Sequence, residues 1–482
     1  VLPLAAAPLC VILRRGSIPW LIAVVVSWLS LAIAINLVSQ VSDGTEISYA
    51  MGGWLAPIGI EYRVDPLNAF VLLIVAAVSS VVILFARKSV EAEIDPDKHY
   101  LFYTGYLLML TGLLGMAITG DAFNVFVFIE ISSLSSYAMI AMGKDRRALA
   151  ASFTYLVMGT VGATFFLIGV GLMYAMTGTL NMADLAERLP EVAESRAVLV
   201  SFAFISVGVL LKLALFPLHL WLPNAYTYAP SMVSAFLAAT ATKVAAYVLL
   251  RFLFSIFKID KIMGIVPIDA VLLVLAVTAM FAGSTVAVFQ NNLKRMLAYS
   301  SIAQIGYIVL GISLVNATGL TASIVHLLNH AVTKGGMFLA LGCIAYRIGS
   351  VHLDDFAGIG RRMPWTTAAF LMGGLGLIGV PLTAGFISKW YLVLGSLERG
   401  WWPIGLLILM SSLIAVIYVW RVAEVAYFKP APEGAEAIEE APATMLVPTW
   451  ILIGASLYFG IDTELTIGVA QRAAAVLIGG AG

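Results

Sequence analysis

Long apolar runs cover most of the chain, and short polar stretches separate them. All but the first run reach about 18 residues, the length that an α-helix needs to cross a bilayer, and no stretch between them suits a soluble domain. The pattern predicts fourteen membrane-spanning helices, at residues 1–13, 18–39, 66–86, 101–119, 121–142, 148–177, 197–221, 231–250, 267–290, 297–315, 318–346, 364–395, 401–420 and 444–461.

Four lysines and one glutamate interrupt the apolar pattern inside these spans. Lys212 is the clearest case, because it lies about 22 Å along the seventh span if that helix begins near Ala197. A lysine at the centre of a membrane helix costs about 3 kcal/mol, so such residues usually face a protein or water-filled interior and mark an ion or proton pathway. The others are Glu130, Lys243, Lys334 and Lys389.

Each of these charges also has a purely structural interpretation. Glu130 could clamp two helices together, and Lys243 could pack against a backbone carbonyl within its run of small residues. Lys334 and Lys389 could extend toward the membrane surface. The pathway interpretation is preferred, because five charges embedded at such depth are rare in helices that serve only as scaffold.

Two prolines predict interruptions in spanning helices. Pro217 follows Lys212, and Pro381 precedes Lys389. Proline removes a backbone donor and breaks a helix, which at membrane depth is tolerated only where protein or water satisfies the freed carbonyls. A buried charge beside a broken helix is typical of a transport site. His219, just after the first proline, is either a pathway residue or a helix cap.

A row of three polar residues marks the eleventh span. His326, His330 and Lys334 recur every four residues and therefore share one helix face. The row covers about 12 Å of depth and could pass protons along it. No third ligand accompanies the two histidines, so we expect no metal site and no other cofactor.

Composition agrees with a polytopic membrane protein. Hydrophobic residues make up 61% of the 482 residues, charged residues make up 11%, and the mean hydropathy is +0.99. The net charge is zero, which gives no attraction to nucleic acid, and Cys10 and Cys343 cannot form a CxxC metal site. Gly374, Gly376 and Gly379 match the spacing of a dinucleotide-binding fingerprint, but no strand precedes them. We expect them to pack helices and not to bind a nucleotide.

Basic residues indicate the orientation of the spans. With the N-terminus outside, the inner loops hold fifteen lysines and arginines and the outer loops hold eight, in the sense of the positive-inside rule. Residues 40–65 predict a small outer hairpin, and 180–197 a short amphipathic segment on the outer surface. Residues 429–442 form an inner, Pro- and Glu-rich linker. The first run has no cleavage site before Arg14, so it predicts a helix and not a signal peptide.

Four motifs together resemble the antiporter-like subunits of the complex I superfamily, the proton-conducting membrane transporter family. They are DAFNVFVFIEISSLSSYA, KLALFPLHLWLPNAYTYAPSM, HLLNHAVTKGGMF and GVPLTAGFISKW. The resemblance covers essentially the whole chain and implies an all-α membrane protein of about fourteen transmembrane helices. It also implies two inverted five-helix repeats, helices 4–8 and 9–13, in which helices 7 and 12 are broken.

The resemblance further implies a division of the chain and a set of site residues. One transmembrane domain, 1–482, would consist of N-terminal helices (1–100), a first repeat (101–255), a second repeat (256–428) and an acidic loop with the last helix (429–482). The implied proton pathway is formed by Glu130, Lys212, Lys243, His326, His330 and Lys389. His219 and Lys334 are further candidates.

Within the superfamily, the segments GGWLAPIGI and TGTLNMADL are similar to the D-type polypeptides of Mrp multisubunit antiporters. This implies a proton-translocating subunit of a Na⁺/H⁺ antiporter, and not an enzyme, in a prokaryotic inner (plasma) membrane with other membrane subunits as partners. The alternative is a proton-pumping subunit of a redox enzyme, either complex I or a membrane-bound hydrogenase. The sequence leaves the assembly, the cation and the direction of transport open.

Overall fold

The computed structural model describes residues 1–431 and 438–479, without the side chain of Lys261. The described chain is built almost entirely from helices. They are α1 (Leu2–Ile12), α2 (Ile18–Gln40), α3 (Pro66–Glu93), α4 (His99–Ile118), α5 (Ala122–Ala141), α6 (Arg147–Thr177), α7 (Met182–Arg188), α8 (Arg196–Leu213), α9 (Trp221–Tyr228), α10 (Ser231–Leu250), α11 (Ile259–Met263), α12 (Ile268–Val288), α13 (Leu293–Ser313), α14 (Ala317–Ile348), α15 (Ile359–Arg362), α16 (Pro364–Ile378), α17 (Ala384–Glu398), α18 (Trp402–Phe428), α19 (Ala443–Ile461) and α20 (Glu464–Gly479).

Two surface features predicted from the sequence are present. Strands β1 (Ile47–Ala50) and β2 (Glu61–Val64) pair antiparallel and form the hairpin expected within residues 40–65. Helix α7 lies within the stretch expected to be amphipathic. The linker expected at residues 429–442 falls partly outside the described residues, because 432–437 are not among them.

Within the described chain, twelve helices are long and apolar enough to cross a membrane. Helix α8 fills most of the predicted seventh span, and α9 begins only at its last residue, Trp221. Helices α16 and α17 share the twelfth span, and every predicted span contains helix. The first predicted span is the shortest, and the eleven residues of α1 extend about 16 Å, roughly half of the hydrocarbon core. Helix α20 was not predicted, and it packs against α3 and α14.

The first break separates α8 from α9. Helix α8 ends at Leu213, and Ala214 takes a left-handed conformation with φ of +58°. Pro217 lies within the seven-residue connection that follows, where the sequence predicted an interruption. The carbonyl of Leu211, near the helix end, accepts from the backbone of Ala214 at 3.1 Å and from the indole nitrogen of Trp221 at 2.9 Å, so a side chain from beyond the break holds the end of α8.

The second break separates α16 from α17. Helix α16 ends at Ile378, Gly379 caps it with φ of +86°, and Pro381 lies in the connection. Asn329 of α14 donates its amide to the carbonyl of Ala384, at the start of α17. Protein side chains therefore stabilise both interruptions, as irregular backbone at membrane depth requires.

Helices α10, α13 and α14 form the interior of the bundle. In α14 every residue from Gly319 to Ile344 is buried, and α10 buries every residue except Ala241. By contrast α18 faces outward, and its Leu413 is 66% exposed. Polar side chains on the inner helices are consequently shielded from lipid and must find their partners inside the protein.

The glycines with fingerprint spacing lie in and just after α16. A Cβ added at Gly374 would lie 2.7 Å from a methyl of Val419, and one at Gly376 would lie 3.4 Å from Thr333. Gly379 is the left-handed cap described above. These residues therefore have packing and capping roles, as the sequence analysis expected.

Candidate proton pathway

The first group of polar residues joins α5 to α8. The ammonium of Lys212 donates to the hydroxyl of Ser133 at 2.8 Å and to that of Tyr137 at 3.4 Å. Ser133 and Tyr137 follow Glu130 on α5 at offsets of three and seven, so all three share one helix face. Sequence reasoning missed Tyr137 although this spacing was visible.

Glu130 acts on Lys212 through space and not through a direct bond. Its carboxylate influences Lys212 electrostatically, but among the described residues no ion pair within 4 Å joins the two. One buried carboxylate oxygen, Oε1, has no hydrogen-bond partner. A buried polar atom without a partner is costly, so this carboxylate has a physical reason to move, to bind a proton or to attract water.

A small cavity adjoins Lys212. Its volume is about 40 Å³, enough for one or more water molecules, and Ser132, Ser133 and Tyr155 line it together with Ala241 and Ala245 of α10. Polar atoms on one side and α10 on the other make the cavity a natural place for water next to Lys212.

A chain of aromatic rings runs from the Lys212 group toward α10. Tyr137 contacts Tyr155 edge-on at 4.6 Å, and Tyr155 stacks on Trp221 at 3.9 Å between ring centroids. Tyr226 follows, with its ring centroid 6.5 Å from that of Trp221, and its hydroxyl donates to the carbonyl of Leu237 in α10 at 3.3 Å. These rings fix the spacing between the first break and the Lys243 helix.

Lys243 and Lys334 form the central group. Lys243 donates to the carbonyl of Ala238 and, at 3.3 Å, to the hydroxyl of Thr242. Lys334 donates to the carbonyl of Leu297 at 2.8 Å and to the hydroxyl of Ser300. Both lysines are almost fully buried, so the interpretation of Lys334 as a side chain that extends to the membrane surface is wrong. The short polar partners hold its ammonium between α13 and α14 instead.

The two histidines of α14 differ in their surroundings. His326 bonds Ser388 through Nδ1 at 2.7 Å and Gln304 through Nε2 at 2.9 Å. His330 stacks against His326, with 5.9 Å between the centroids, and neither of its ring nitrogens has a partner. Lys243 acts electrostatically on both histidines and on Lys334. Helix α14, which carries these candidates, packs against α10, which carries Lys243.

Lys389 in α17 is the last of the pathway candidates along the chain. Its ammonium donates to the carbonyls of Leu377 and Ile378, at 2.8 and 2.9 Å, and to the hydroxyl of Ser412 at 2.8 Å. It also lies 4.6 Å from the ring centroid of Tyr307. Because Lys389 is 7% exposed, its alternative interpretation as a side chain that reaches the surface is also wrong.

His219 lies apart from the other candidates. Its ring stacks on Phe216 at 5.1 Å and approaches Tyr299 at 6.4 Å, and its Nδ1 has no partner. In the described chain, no hydrogen bond connects the His219 side chain to Lys212 or to Lys243. Lys294, which the sequence placed in a loop, is instead buried and donates to the carbonyl of Ala229 at 3.0 Å.

Known proteins share this architecture. Residues 119–415 match the family model described as "NADH:quinone oxidoreductase/Mrp antiporter, TM". The N-type polypeptide of the NADH-quinone oxidoreductase of Desulforudis audaxviator is 42% identical over 97% of this chain and 95% of the relative. The D-type polypeptide of the Na⁺/H⁺ antiporter of Alkalihalophilus pseudofirmus is 29% identical over 90% of this chain and 87% of the relative. One polypeptide in the structure of the Mrp complex from Dietzia sp. DQ12-45-1b has a TM-score of 0.91 and 26% identity, with 99% and 96% coverage.

Proposed function

This chain belongs to the NADH:quinone oxidoreductase/Mrp antiporter transmembrane family, and we propose that it is a proton-translocating subunit of a multisubunit complex in a prokaryotic inner (plasma) membrane. The observation that carries the proposal is the row of buried basic groups along the bundle interior. It begins at Lys212 and continues through Lys243, the two histidines of α14 and Lys389. Such groups have few roles in a membrane protein other than the movement of charge.

The row transfers protons because its neighbouring positive charges disfavour one another. Lys243 on α10 and the pair His330 and Lys334 on α14 lie on helices that pack together. Because like charges repel strongly in the protein interior, a proton added to one of the three favours release of a proton from the others. Glu130 acts at the start of the row: its approach to Lys212 favours the charged lysine, and its withdrawal favours proton release to Lys243 through water.

The histidine network suits a relay. Gln304 Oε1 can only accept, so the Nε2–H of His326 donates a hydrogen bond to it, while the Ser388 hydroxyl can donate to Nδ1 or accept from it. Ser388 also lies 3.2 Å from the carbonyl of Gly385 and can donate there when His326 is charged. The hydroxyl thus reverses its direction as His326 gains or loses a proton.

The ion that this chain carries is the proton, even if the complex also moves sodium. Sodium is bound by oxygen ligands, whereas the interior row offers ammonium and imidazole groups that repel a metal cation. In a Na⁺/H⁺ antiporter, the sodium path would then lie in another subunit or at a subunit contact.

Two assemblies are in accord with these data. The 42% identity to a polypeptide of an NADH-quinone oxidoreductase favours a redox-driven complex, and the whole-chain match to the Mrp complex favours a sodium/proton antiporter. We favour the redox-driven assembly, since the 42% identity to the oxidoreductase polypeptide exceeds the 29% identity to the antiporter polypeptide.

The test is proton uptake by everted vesicles from cells that express the whole gene cluster. A redox-driven complex acidifies the vesicle lumen when an electron donor is added, and sodium is not required. An antiporter releases protons from preloaded vesicles only when sodium is added. In either case Lys212→Ala should remove the signal; a normal signal in that variant would refute proton transport by this chain.

A further inference from the structure

A cavity of about 360 Å³ opens on the face that the positive-inside rule places outside, above the helix that carries Lys243. It has room for about ten water molecules. Tyr247 and Arg251 of α10 line its floor together with Asp65 and Thr119. The pathway described above does not use this cavity.

A buried ion pair lies at the floor of the cavity. Arg251 Nη2 lies 2.6 Å from Asp65 Oδ2, and their side chains are only 12% and 4% exposed. The other carboxylate oxygen of Asp65 caps α3 by accepting from the backbone of Leu67 and Asn68. The pair therefore ties the end of α10 to the start of α3 in the wall of the cavity.

Helix α10 connects this pair to Lys243. Lys243, Tyr247 and Arg251 recur every four residues on one helix face, and Arg251 lies about 12 Å above Lys243. Tyr247 lies one turn from each of them. Its hydroxyl accepts from Arg251 at 3.3 Å and donates to the carbonyl of Ala117 at 3.0 Å, while the Lys243 ammonium donates to Ala238 and Thr242. From Arg251 to Ile256 the helix widens into a π-helix, a form that often marks functional sites.

We propose that this cavity gives the proton on Lys243 its own access to the outside, and that Asp65, paired with Arg251, is the group that receives the proton there. This inference rests on the proposed function and gives the first repeat an outer opening near Lys243, separate from Lys389. The Lys243 ammonium becomes a neutral amine as Asp65 becomes a neutral carboxylic acid, with water and the Tyr247 hydroxyl between them. The acid then releases its proton to cavity water, and the ion pair forms again. Arg251 stays charged throughout, because a guanidinium does not release its proton.

A second ion pair provides a matched control. Arg399 and Asp269 also approach to 2.6 Å at the same face of the protein, but neither residue lines this cavity. Asp65→Asn is well suited to the test, because asparagine also caps helices and preserves the start of α3 while it removes the charge. We expect Asp65→Asn to lower proton flux in vesicles at least tenfold at matched protein level, and Asp269→Asn to stay within twofold of the unmodified complex.

A double variant separates proton transfer from stability. If Asp65→Asn acts only by leaving Arg251 buried without a partner, then Asp65→Asn combined with Arg251→Met should restore both assembly and flux, and that result would overturn the proposal. We expect restored assembly without flux. If Lys212→Ala also leaves flux unchanged, the proposed function itself fails; if Lys212→Ala abolishes flux while Asp65→Asn does not, only this inference fails.

Water access can be measured independently of transport. In a chain whose two native cysteines are replaced by alanine, Thr119→Cys should react with an impermeant cationic thiosulfonate added to the outside. Ser201→Cys, a fully buried position between α6 and α8, is the control and should not react. Equal protection of both cysteines would show that outside water does not reach the cavity and would contradict the proposal.

Discussion

The ammonium of Lys389 lies 2.8 Å from the carbonyl oxygen of Leu377, across the second break in the membrane helices. The last carbonyls of a helix lack internal partners and carry the negative end of the helix dipole, so a cation there is stabilised. A lysine that would otherwise be costly at this depth thus donates hydrogen bonds to the last carbonyls of α16, and these carbonyls hold the ammonium in place.

This relationship predicts that the structural and transport roles of Lys389 can be separated. Lys389→Met leaves the carbonyl of Ile378 without its lysine donor and the carbonyl of Leu377 with only the Gln304 amide at 3.4 Å. It should lower both the stability, by about 1–3 kcal/mol, and the proton flux. Lys389→Arg keeps a charge at the helix end but cannot release a proton, so it should recover most of the stability and little of the flux. Thermal unfolding in detergent measures the stability, and pH change in vesicles measures the proton flux. Equal flux in Lys389→Arg and the unmodified protein would remove Lys389 from the pathway.

Glu130 and Lys212 should be required together. Glu130→Gln removes the charge that acts on Lys212, and Lys212→Ala removes the first carrier, so each should reduce flux to background while the complex still assembles. Glu424→Gln, on an exposed position of α18, is the matched control and should transport normally. Tyr137→Phe removes one of the two Lys212 hydrogen bonds and should have a smaller effect, about threefold to tenfold. A normal rate in Glu130→Gln would refute the switching role of that carboxylate.

His326 and His219 lie in different surroundings, and their substitution should have different effects. His326→Gln can keep bonds to Ser388 and Gln304 but cannot carry a proton, so flux should fall at least tenfold. His219→Gln should transport within twofold of normal, because His219 is not connected to the lysine row. Both are measured as initial rates of vesicle pH change. A larger loss in His219→Gln than in His326→Gln would reverse the assignment.

Orientation is testable with two exposed positions. The side chain of Glu439 is 84% exposed on the predicted inner face, and Ile58 is 87% exposed in the predicted outer hairpin. An impermeant maleimide should label Glu439→Cys only in everted vesicles and Ile58→Cys only in intact cells. The opposite pattern would invert the assignment of every loop.

Charge within an apolar run made the pathway lysines visible in the sequence. Lys212, Lys243 and Lys389 stand out because a charged side chain is costly at the centre of a membrane helix and is therefore rare there without a function. Their side-chain partners Ser133, Thr242 and Ser412 could not be predicted in the same way. Small polar residues are frequent in membrane helices, and only the packing of the helices decides which of them face a lysine.

Helix ends and surface positions were harder to predict from the sequence than the buried lysines. Lys294 directly follows a polar stretch and was assigned to a loop, yet it is buried against Ala229. Helix α20 contains Arg472 and is less apolar than a spanning helix, so a hydropathy criterion rejects it. Its signal was instead the stripe of Ala470, Ala473 and Ala474, which the structure buries.

The central claim is that Lys243 carries protons between Lys212 and the histidines of α14. The substitution Lys243→Arg keeps a positive charge at the same position but cannot release a proton at any working pH. Measured as the initial rate of vesicle pH change at matched protein levels, proton flux through the complex should fall to background in this variant. A Lys243→Arg variant that transports at a normal rate would contradict the lysine and histidine relay.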